Sequence, residues 1–300
     1  MRIMLNRIAK YKYRYLFILP AFLYILVFKY FPIYGITISF MDYNAFKGLS
    51  GSPWVGFKWF EYFFNGPDFW RLMRNTLTIS LLKIVAGMTP DILLAILLNE
   101  VRRTGFKRII QTLTYMPHFL SWVIIYGIVI AFFSTTNGLV NFTLKSWGQD
   151  AIPFLTSNDW FRWIIVLSDV WKDLGWGAII YLAALTSIDS QLYEAAVIDG
   201  ASKWRQTWHV TLPGIRSVII LMLMLRVGHL LDAGFTQIIV MYNPLVYATV
   251  DIIDTWVYRV GILENRFSLA TAVGLFKSVI GVVLVLGTNR LAKRFDSQIW

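Results

Sequence analysis

Several ionisable residues of this 300-residue sequence lie within or near the ends of long apolar runs. A charged side chain at the centre of a membrane helix costs about 2.5–3.5 kcal/mol on insertion scales. Such residues require ion-pair partners or a water-filled cavity, so they are the first candidates for a polar site. They are Asp91, Asp169, Lys172, Asp173, Arg226, Asp232 and Lys277.

Two helical faces collect most of these groups. Helical spacings of i, i+3, i+4 and i+7 unite Asp169, Lys172, Asp173 and Trp176. Spacings of i, i+3 and i+6 relate Arg226, His229 and Asp232. Such groups can line a path for a polar solute, or they can form structural ion pairs, for example Lys172 with Asp169. Snorkelling of long side chains to the membrane surface is a third interpretation.

Covalent chemistry has no support in the sequence. There is no cysteine, which excludes disulfides, thiolate metal sites and cysteine nucleophiles. The sequence also lacks a phosphate-binding loop ending in Gly-Lys-Ser or Gly-Lys-Thr, a His-Glu-x-x-His pattern and a Gly-x-Ser-x-Gly pattern. We therefore predict no catalytic residue, no metal site and no cofactor in this chain.

One compact hydrophilic stretch, EAAVIDGASKWRQTWHVTLP, occupies positions 194–213. Ahead of it, Thr186 and Asp189 match the [ST]-x-x-[DE] pattern of a helix start. Gly200 is suited to the left-handed conformation that ends a helix. The stretch therefore begins with a predicted short helix that ends at Gly200.

A second short helix is predicted over positions 203–210, with Ser202 as its cap and its end before Pro213. The first helix is suited to docking in a groove, because small side chains allow close approach and neighbouring charges fix the register. Those residues are Ala195 and Ala196 beside Glu194 and Asp199. A solvated connecting loop is the alternative, and a DNA-reading hairpin is less favoured because acids balance the bases.

The elements that must position these residues are membrane helices. The composition is 57% hydrophobic and 15% charged, with mean hydropathy +0.58, which is typical of a polytopic membrane protein. Six apolar runs are long enough to span a membrane, at 15–40, 75–98, 109–133, 163–185, 215–234 and 270–289. A seventh apolar run, 237–258, is interrupted by Asn243-Pro244 and two aspartates, and we predict a helix lying at a surface there.

The distribution of lysine and arginine predicts the orientation of these spans. Both residues are concentrated in the N-terminal segment, positions 102–108 and 203–216, and the C-terminal segment. Cytoplasmic loops carry this excess, so both termini and the loop 186–214 are predicted to be cytoplasmic. The excess of lysine and arginine in cytoplasmic segments therefore explains the net charge of +11, and we predict no nucleic-acid partner.

The hydrophilic stretch also resembles a known motif. Its Glu-Ala-Ala, the following Ile-Asp-Gly-Ala and the closing Val-Thr-Leu-Pro resemble the EAA loop of inner-membrane permease subunits of binding-protein-dependent ABC importers. The form is that of carbohydrate importers of the maltose and glycerol-phosphate type. Further segments of almost the whole chain are similar to the branch that imports complex oligosaccharides from polysaccharides. They include FILPAFLYILVFKYFPIYGITISF, NTL, LLNEVRRTGFKR, YMPHF and WKDLGWGAIIYLAALTSID.

This resemblance implies an all-α, single-domain type I permease fold of six spans over positions 1–300 in a bacterial inner membrane. It implies three kinds of partner: a second permease subunit, two copies of a cytoplasmic ATPase that holds ATP and Mg, and an extracytoplasmic solute-binding protein. The ATPase-coupling residues would be Glu194, Ala195, Ala196, Asp199, Gly200 and Pro213. The oligosaccharide path would be lined by Asp169, Trp171, Lys172, Asp173, Trp176 and Asp232.

Two other functions stay open on the residues alone. The intramembrane aspartates permit a secondary transporter coupled to H⁺ or Na⁺, although the internal repeats expected of one are not evident. A membrane-embedded enzyme would require a catalytic constellation at one loop face, and none is evident in the sequence.

Overall fold

The computed structural model describes residues 11–293. Within that range the regular elements are helices, accompanied by one isolated bridge between Met41 and Trp54 and by no strand. The all-α prediction is therefore confirmed. The terminal charges used for the orientation, Arg2, Arg7, Lys10 and Arg294, lie outside the described residues.

The described chain divides into two compact units, and the larger one comprises residues 67–256 and 277–293. It is built on the helices α3 (Asp68–Glu100) and α7 (Asn158–Leu185). Lys83 of α3 bonds Asp169 of α7, and two turns further along both helices Asp91 lies against Gly177. The two helices therefore run parallel in a constant register, and the missing side chain of Gly177 permits their close approach.

Between these helices the chain forms α4 (Thr104–Tyr115), a 3₁₀ turn (Met116–Phe119), α5 (Trp122–Phe133) and α6 (Leu139–Ser146). The direction changes by 105° between the 3₁₀ turn and α5. The break falls three residues after Pro117, at Leu120 and Ser121, whose ψ angles of 139° and 154° are extended. Lys172 of α7 donates to the carbonyl groups exposed there, including that of Leu120 at 2.8 Å.

After α7 come α8 (Ser190–Ile198), α9 (Lys203–Gln206), a π turn (Thr207–Thr211), α10 (Leu212–Gly214) and α11 (Arg216–Gly228). The chain bends by 61° between α10 and α11. This bend falls at Ile215, which is fully buried in a cluster with Ala95, Ala178, Tyr181 and Leu185. The two arms of the hydrophilic stretch form a helical hairpin over residues 190–214, called the hairpin below. It leads directly into the apolar helix α11.

The segment after α11 contradicts the predicted surface helix. It forms α12 (Phe235–Met241), a 3₁₀ turn (Pro244–Val246), α13 (Tyr247–Val250) and α14 (Ile253–Tyr258). Asp251 is fully buried and accepts a hydrogen bond from Thr255 at 2.8 Å, with Arg71 of α3 at 3.4 Å. The Asn75 amide of α3 donates to the Asp251 and Ala248 carbonyls, both at 3.1 Å. These distant partners satisfy the polar groups, so the segment lies in the core.

The smaller unit comprises residues 11–66 and 257–276 of the described chain. It contains α1 (Lys12–Ile25), which continues as helical turns to Phe40, then α2 (Lys58–Phe64) and the start of α15 (Phe267–Ala292). Phe40 stacks on Trp54 with ring centroids 5.5 Å apart, and Tyr43 donates its N–H to the Ser268 hydroxyl at 2.9 Å. Aromatic contacts and long-range hydrogen bonds therefore organise this unit.

Three helical segments of the described chain are long and apolar enough to cross a membrane, and up to five if each bent pair forms one span. α7 has a suitable length, but Asp169, Lys172 and Asp173 interrupt its apolar run. The limits of the six predicted spans and the location of the termini stay predictions. The three segments are Lys12–Phe40, Asp68–Glu100 and Phe267–Arg290.

Candidate functional site

The hydrophilic hairpin begins with an aspartate cap. The Asp189 carboxylate accepts a hydrogen bond from the Gln191 N–H at 2.9 Å and thereby starts α8. Thr186, expected to take part in the same start, instead lies at the end of α7 and donates its hydroxyl to the Ala183 carbonyl at 2.7 Å. The predicted two-residue start is wrong, because a single Asx-type cap suffices.

Gly200 ends α8 as predicted. Its φ is +70°, in the left-handed region that favours glycine. The N–H groups of Gly200 and Ala201 donate to the carbonyls of Val197 and Ala196 at 3.0 and 2.8 Å. This arrangement is a Schellman motif, which satisfies the carbonyl groups left free at a helix end.

The second helix is longer than predicted. Ser202 caps it as expected, accepting from the Arg205 N–H at 3.4 Å. A π turn over Thr207–Thr211 then shifts the hydrogen bonding, and the Leu212 N–H donates to the Thr207 carbonyl. This shift accommodates Pro213 inside the helical path, so the helix continues to Gly214 instead of ending before the proline.

The hairpin presents apolar side chains away from the protein. Ile198 is 85% exposed, and no side chain of α8 is buried. A groove of about 560 Å³ lies beside it, and its lining includes an exposed ion pair between Lys203 and Glu100 at 2.9 Å. Exposed apolar patches rimmed by charges are typical of protein-docking surfaces. The exposed apolar residues are Leu192, Val197, Ile198, Trp204 and Trp208.

A charged cavity of about 300 Å³ lies between α3, α7, α11 and the turn that follows α11. It is lined by Asp169, Asp173 and Asp232, three of the predicted path residues. The Lys83 ammonium donates to Asp169 at 2.8 Å and also to Gln237. The structure therefore brings together carboxylates from α7 and from the turn after α11.

Three further ion pairs lie at or near this cavity. Arg226 of α11 donates to the Asp91 carboxylate of α3 at 2.6 Å, and Asp91 is only 1% exposed. Lys277 of α15 donates to Asp232 and to Asp254, both at 2.7 Å. Burial raises the pKa of Asp254, and the Lys277 ammonium opposes that shift. The cavity wall is thus a network of paired charges.

Three predicted path residues do not line the cavity. Lys172 donates to backbone carbonyls at the break before α5 and lies over the Trp122 ring at 5.5 Å. Trp176 stacks on His118 with ring centroids 4.5 Å apart. Trp171 is half-exposed and is absent from the cavity lining.

The alternative ion pair of Lys172 with Asp169 is wrong, because Asp169 pairs with Lys83. The imidazole of His118 bonds Asp173 through Nδ1 at 2.8 Å, so His118 makes a contact at the helix break.

Sequence reasoning missed Lys83 and did not place Asp91 among the predicted path residues. A signal was present, since Lys83, Gly87 and Asp91 recur every four residues and so share one side of α3. A lone lysine in an apolar run does not reveal that its partner lies on another helix. The missing information was the parallel register of α3 and α7.

A multi-helix membrane protein that joins an exposed hairpin to a charged cavity has the organisation of a solute-transport subunit. The chain belongs to the family of binding-protein-dependent transport system inner membrane components, whose pattern matches residues 91–297. The family predicted from the EAA-like loop is therefore confirmed, and with it an inner-membrane location and a transport role.

Similar proteins extend the match over nearly the whole chain. Protein LplB of Bacillus subtilis (strain 168) is 47% identical, covering 96% of this chain and 90% of LplB. The polygalacturonan/rhamnogalacturonan transport system permease protein YteP of the same organism is 45% identical, covering 98% and 92%.

A solved structure confirms the fold. A chain of a bacterial ABC transporter involved in the import of the acidic polysaccharide alginate matches with a TM-score of 0.90 and 39% identity. The match covers 98% of this chain and 99% of that chain. The predicted ABC importer permease fold is therefore confirmed.

Proposed function

We propose that this chain is the transmembrane permease subunit of an ATP-driven importer of oligosaccharides derived from polysaccharides. One observation carries the proposal: the exposed hairpin and the charged cavity are joined by one helical path, α9 to α11. Displacement of the hairpin by a partner would reach the cavity through that path. The relatives named for polygalacturonan/rhamnogalacturonan transport and for alginate import support the class of solute.

The hairpin would dock a separate cytoplasmic ATPase, which would hold ATP and Mg. Its exposed apolar residues suit burial in a protein cleft, while Gly200 fixes the angle between the two arms. This chain would supply no catalytic residue and no cofactor. The residues assigned to docking and coupling are Glu194, Ala195, Ala196, Asp199, Gly200 and Pro213.

The cavity would form part of the sugar path. Asp169, Asp173 and Asp232 present carboxylate oxygens that accept hydrogen bonds from hydroxyl groups. Lys83 and Arg226 present donors beside them. Trp171, Lys172 and Trp176 lie outside this cavity. They would contact the sugar only in a part of the path beyond it.

Three partners complete the proposed importer. A second permease subunit would form the other half of the path, two ATPase copies would drive it, and an extracytoplasmic binding protein would deliver the sugar. A second solved structure shows a bacterial alginate ABC transporter in complex with an alginate pentasaccharide-bound periplasmic protein, which supports the last of these partners.

The test is uptake by the assembled complex in liposomes that contain internal ATP. We expect vanadate-sensitive uptake of an oligosaccharide that requires the binding protein. Uptake by this chain alone, driven by a H⁺ or Na⁺ gradient, would contradict the proposal and favour the secondary transporter that the intramembrane carboxylates permit.

A further inference from the structure

The contact between Asp91 of α3 and Arg226 of α11 lies where the hairpin's helical path meets the cavity. Arg226 Nη2 donates to Asp91 Oδ2 at 2.6 Å, and both residues line the cavity. Asp91 is buried, while about a quarter of the Arg226 side chain is exposed. The carboxylate of the pair is therefore almost fully enclosed, whereas the guanidinium is partly open to the cavity.

Two glycines form the slot that holds this pair. A Cβ on Gly87, one turn before Asp91, would stand 2.8 Å from Arg226 Nη1. A Cβ on Gly177 of α7 would overlap the Asp91 carboxylate. The guanidinium and the carboxylate thus occupy space that is free only because positions 87 and 177 carry no side chain.

α11 has two attachments relevant to motion. At its start, Ile215 is fully buried among residues of α3 and α7. Arg226 lies eleven residues later, about 16 Å along the helix at 1.5 Å per residue. Movement of the hairpin that displaces α11 at Ile215 would therefore reach the cavity at Arg226.

Moving Arg226 away from Asp91 would leave the buried Asp91 carboxylate without its counter-ion, which is strongly unfavourable. A small displacement of α11 would consequently pull α3 along through Arg226. A larger one would break the pair only if water or sugar hydroxyls from the cavity replaced the lost hydrogen bonds. Either outcome makes the response of the cavity depend on this contact.

We propose that Asp91 and Arg226 are a positioning pair that transmits displacement of the coupling hairpin to the charged cavity. This inference rests on the proposed import function. Neither residue needs to touch the ATPase, and the pair acts by holding α11 to α3. Its loss would separate ATP hydrolysis from sugar movement without removing the ATPase.

The experiment measures sugar imported per ATP hydrolysed in the reconstituted complex, for Asp91→Asn and Arg226→Gln. We expect this ratio to fall by roughly tenfold in each variant, within the range of a lost coupling interaction. ATPase co-purification should be unchanged, whereas stimulation of ATPase by sugar-loaded binding protein should be lost. Asp159→Asn and Arg108→Gln, at exposed positions, serve as matched controls and should keep the wild-type ratio.

Gly87→Ala keeps both charges and separates the proposed role from a defect in folding. Alanine favours a helix interior by about 1 kcal/mol over glycine, so propensity does not predict destabilisation. Its Cβ would displace the guanidinium, and we expect a reduced ratio in a fully assembled complex. A wild-type ratio in Gly87→Ala and in both charge variants would overturn the proposal. Failure of wild-type ATP-driven uptake would instead overturn the import function.

Discussion

At the scale of single residues, Gly200 is the position where backbone conformation and proposed function meet. Its φ of +70° suits glycine, and a β-branched side chain there costs about 1–2 kcal/mol in the left-handed region. Gly200→Val should therefore distort the end of α8 and reduce ATPase co-purification and uptake together, while membrane insertion is retained. Gly148→Val is the matched control, because Gly148 has a φ of +75° and open space around it but lies in another loop. Equal loss of ATPase binding in both variants would show that the effect is not specific to the hairpin.

The same scale shows what sequence can and cannot predict about side chains. Capping by Asp189 and Ser202 and the helix end at Gly200 were predictable, because each depends on atoms within a few residues. The role of Lys172 was not predictable, because its acceptors are carbonyl groups at the break between two other helical segments, including that of Leu120. Burial of Asp251 likewise depends on Arg71, which is remote in the sequence.

At the scale of elements, long apolar helices followed from hydropathy, whereas broken ones did not. The run at 237–258 was assigned to a surface because Asn243-Pro244 and two aspartates interrupt it. In the structure, α3 supplies those partners through Asn75 and Arg71. Whether a segment of this chain is helical therefore depends on nearby residues. Whether that helix is buried depends on which other helices pack beside it.

The packing of α7 against α4 provides a test at this scale. A Cβ on Gly175 would overlap the backbone carbonyl of Thr114, and backbone cannot move aside as a flexible side chain can. Gly175→Ala should destabilise the protein by about 1–3 kcal/mol, as expected for overpacking. Gly127→Ala in α5 has open space and should be neutral or slightly stabilising. Thermal unfolding in detergent compares the two, and equal unfolding temperatures would contradict the close contact.

At the scale of the whole molecule, the predicted orientation places the hairpin and the loop after α6 on opposite sides of the membrane. The absence of cysteine allows a direct test, because a single introduced thiol is the only labelling site. Ser202→Cys lies in the hairpin and Ser146→Cys at the end of α6, and both positions are exposed. In intact cells whose outer barriers admit the reagent, a membrane-impermeant maleimide should label position 146 and leave position 202 unlabelled until the cells are opened. The opposite pattern would reverse the orientation predicted from lysine and arginine and would place the hairpin where no cytoplasmic ATPase could reach it.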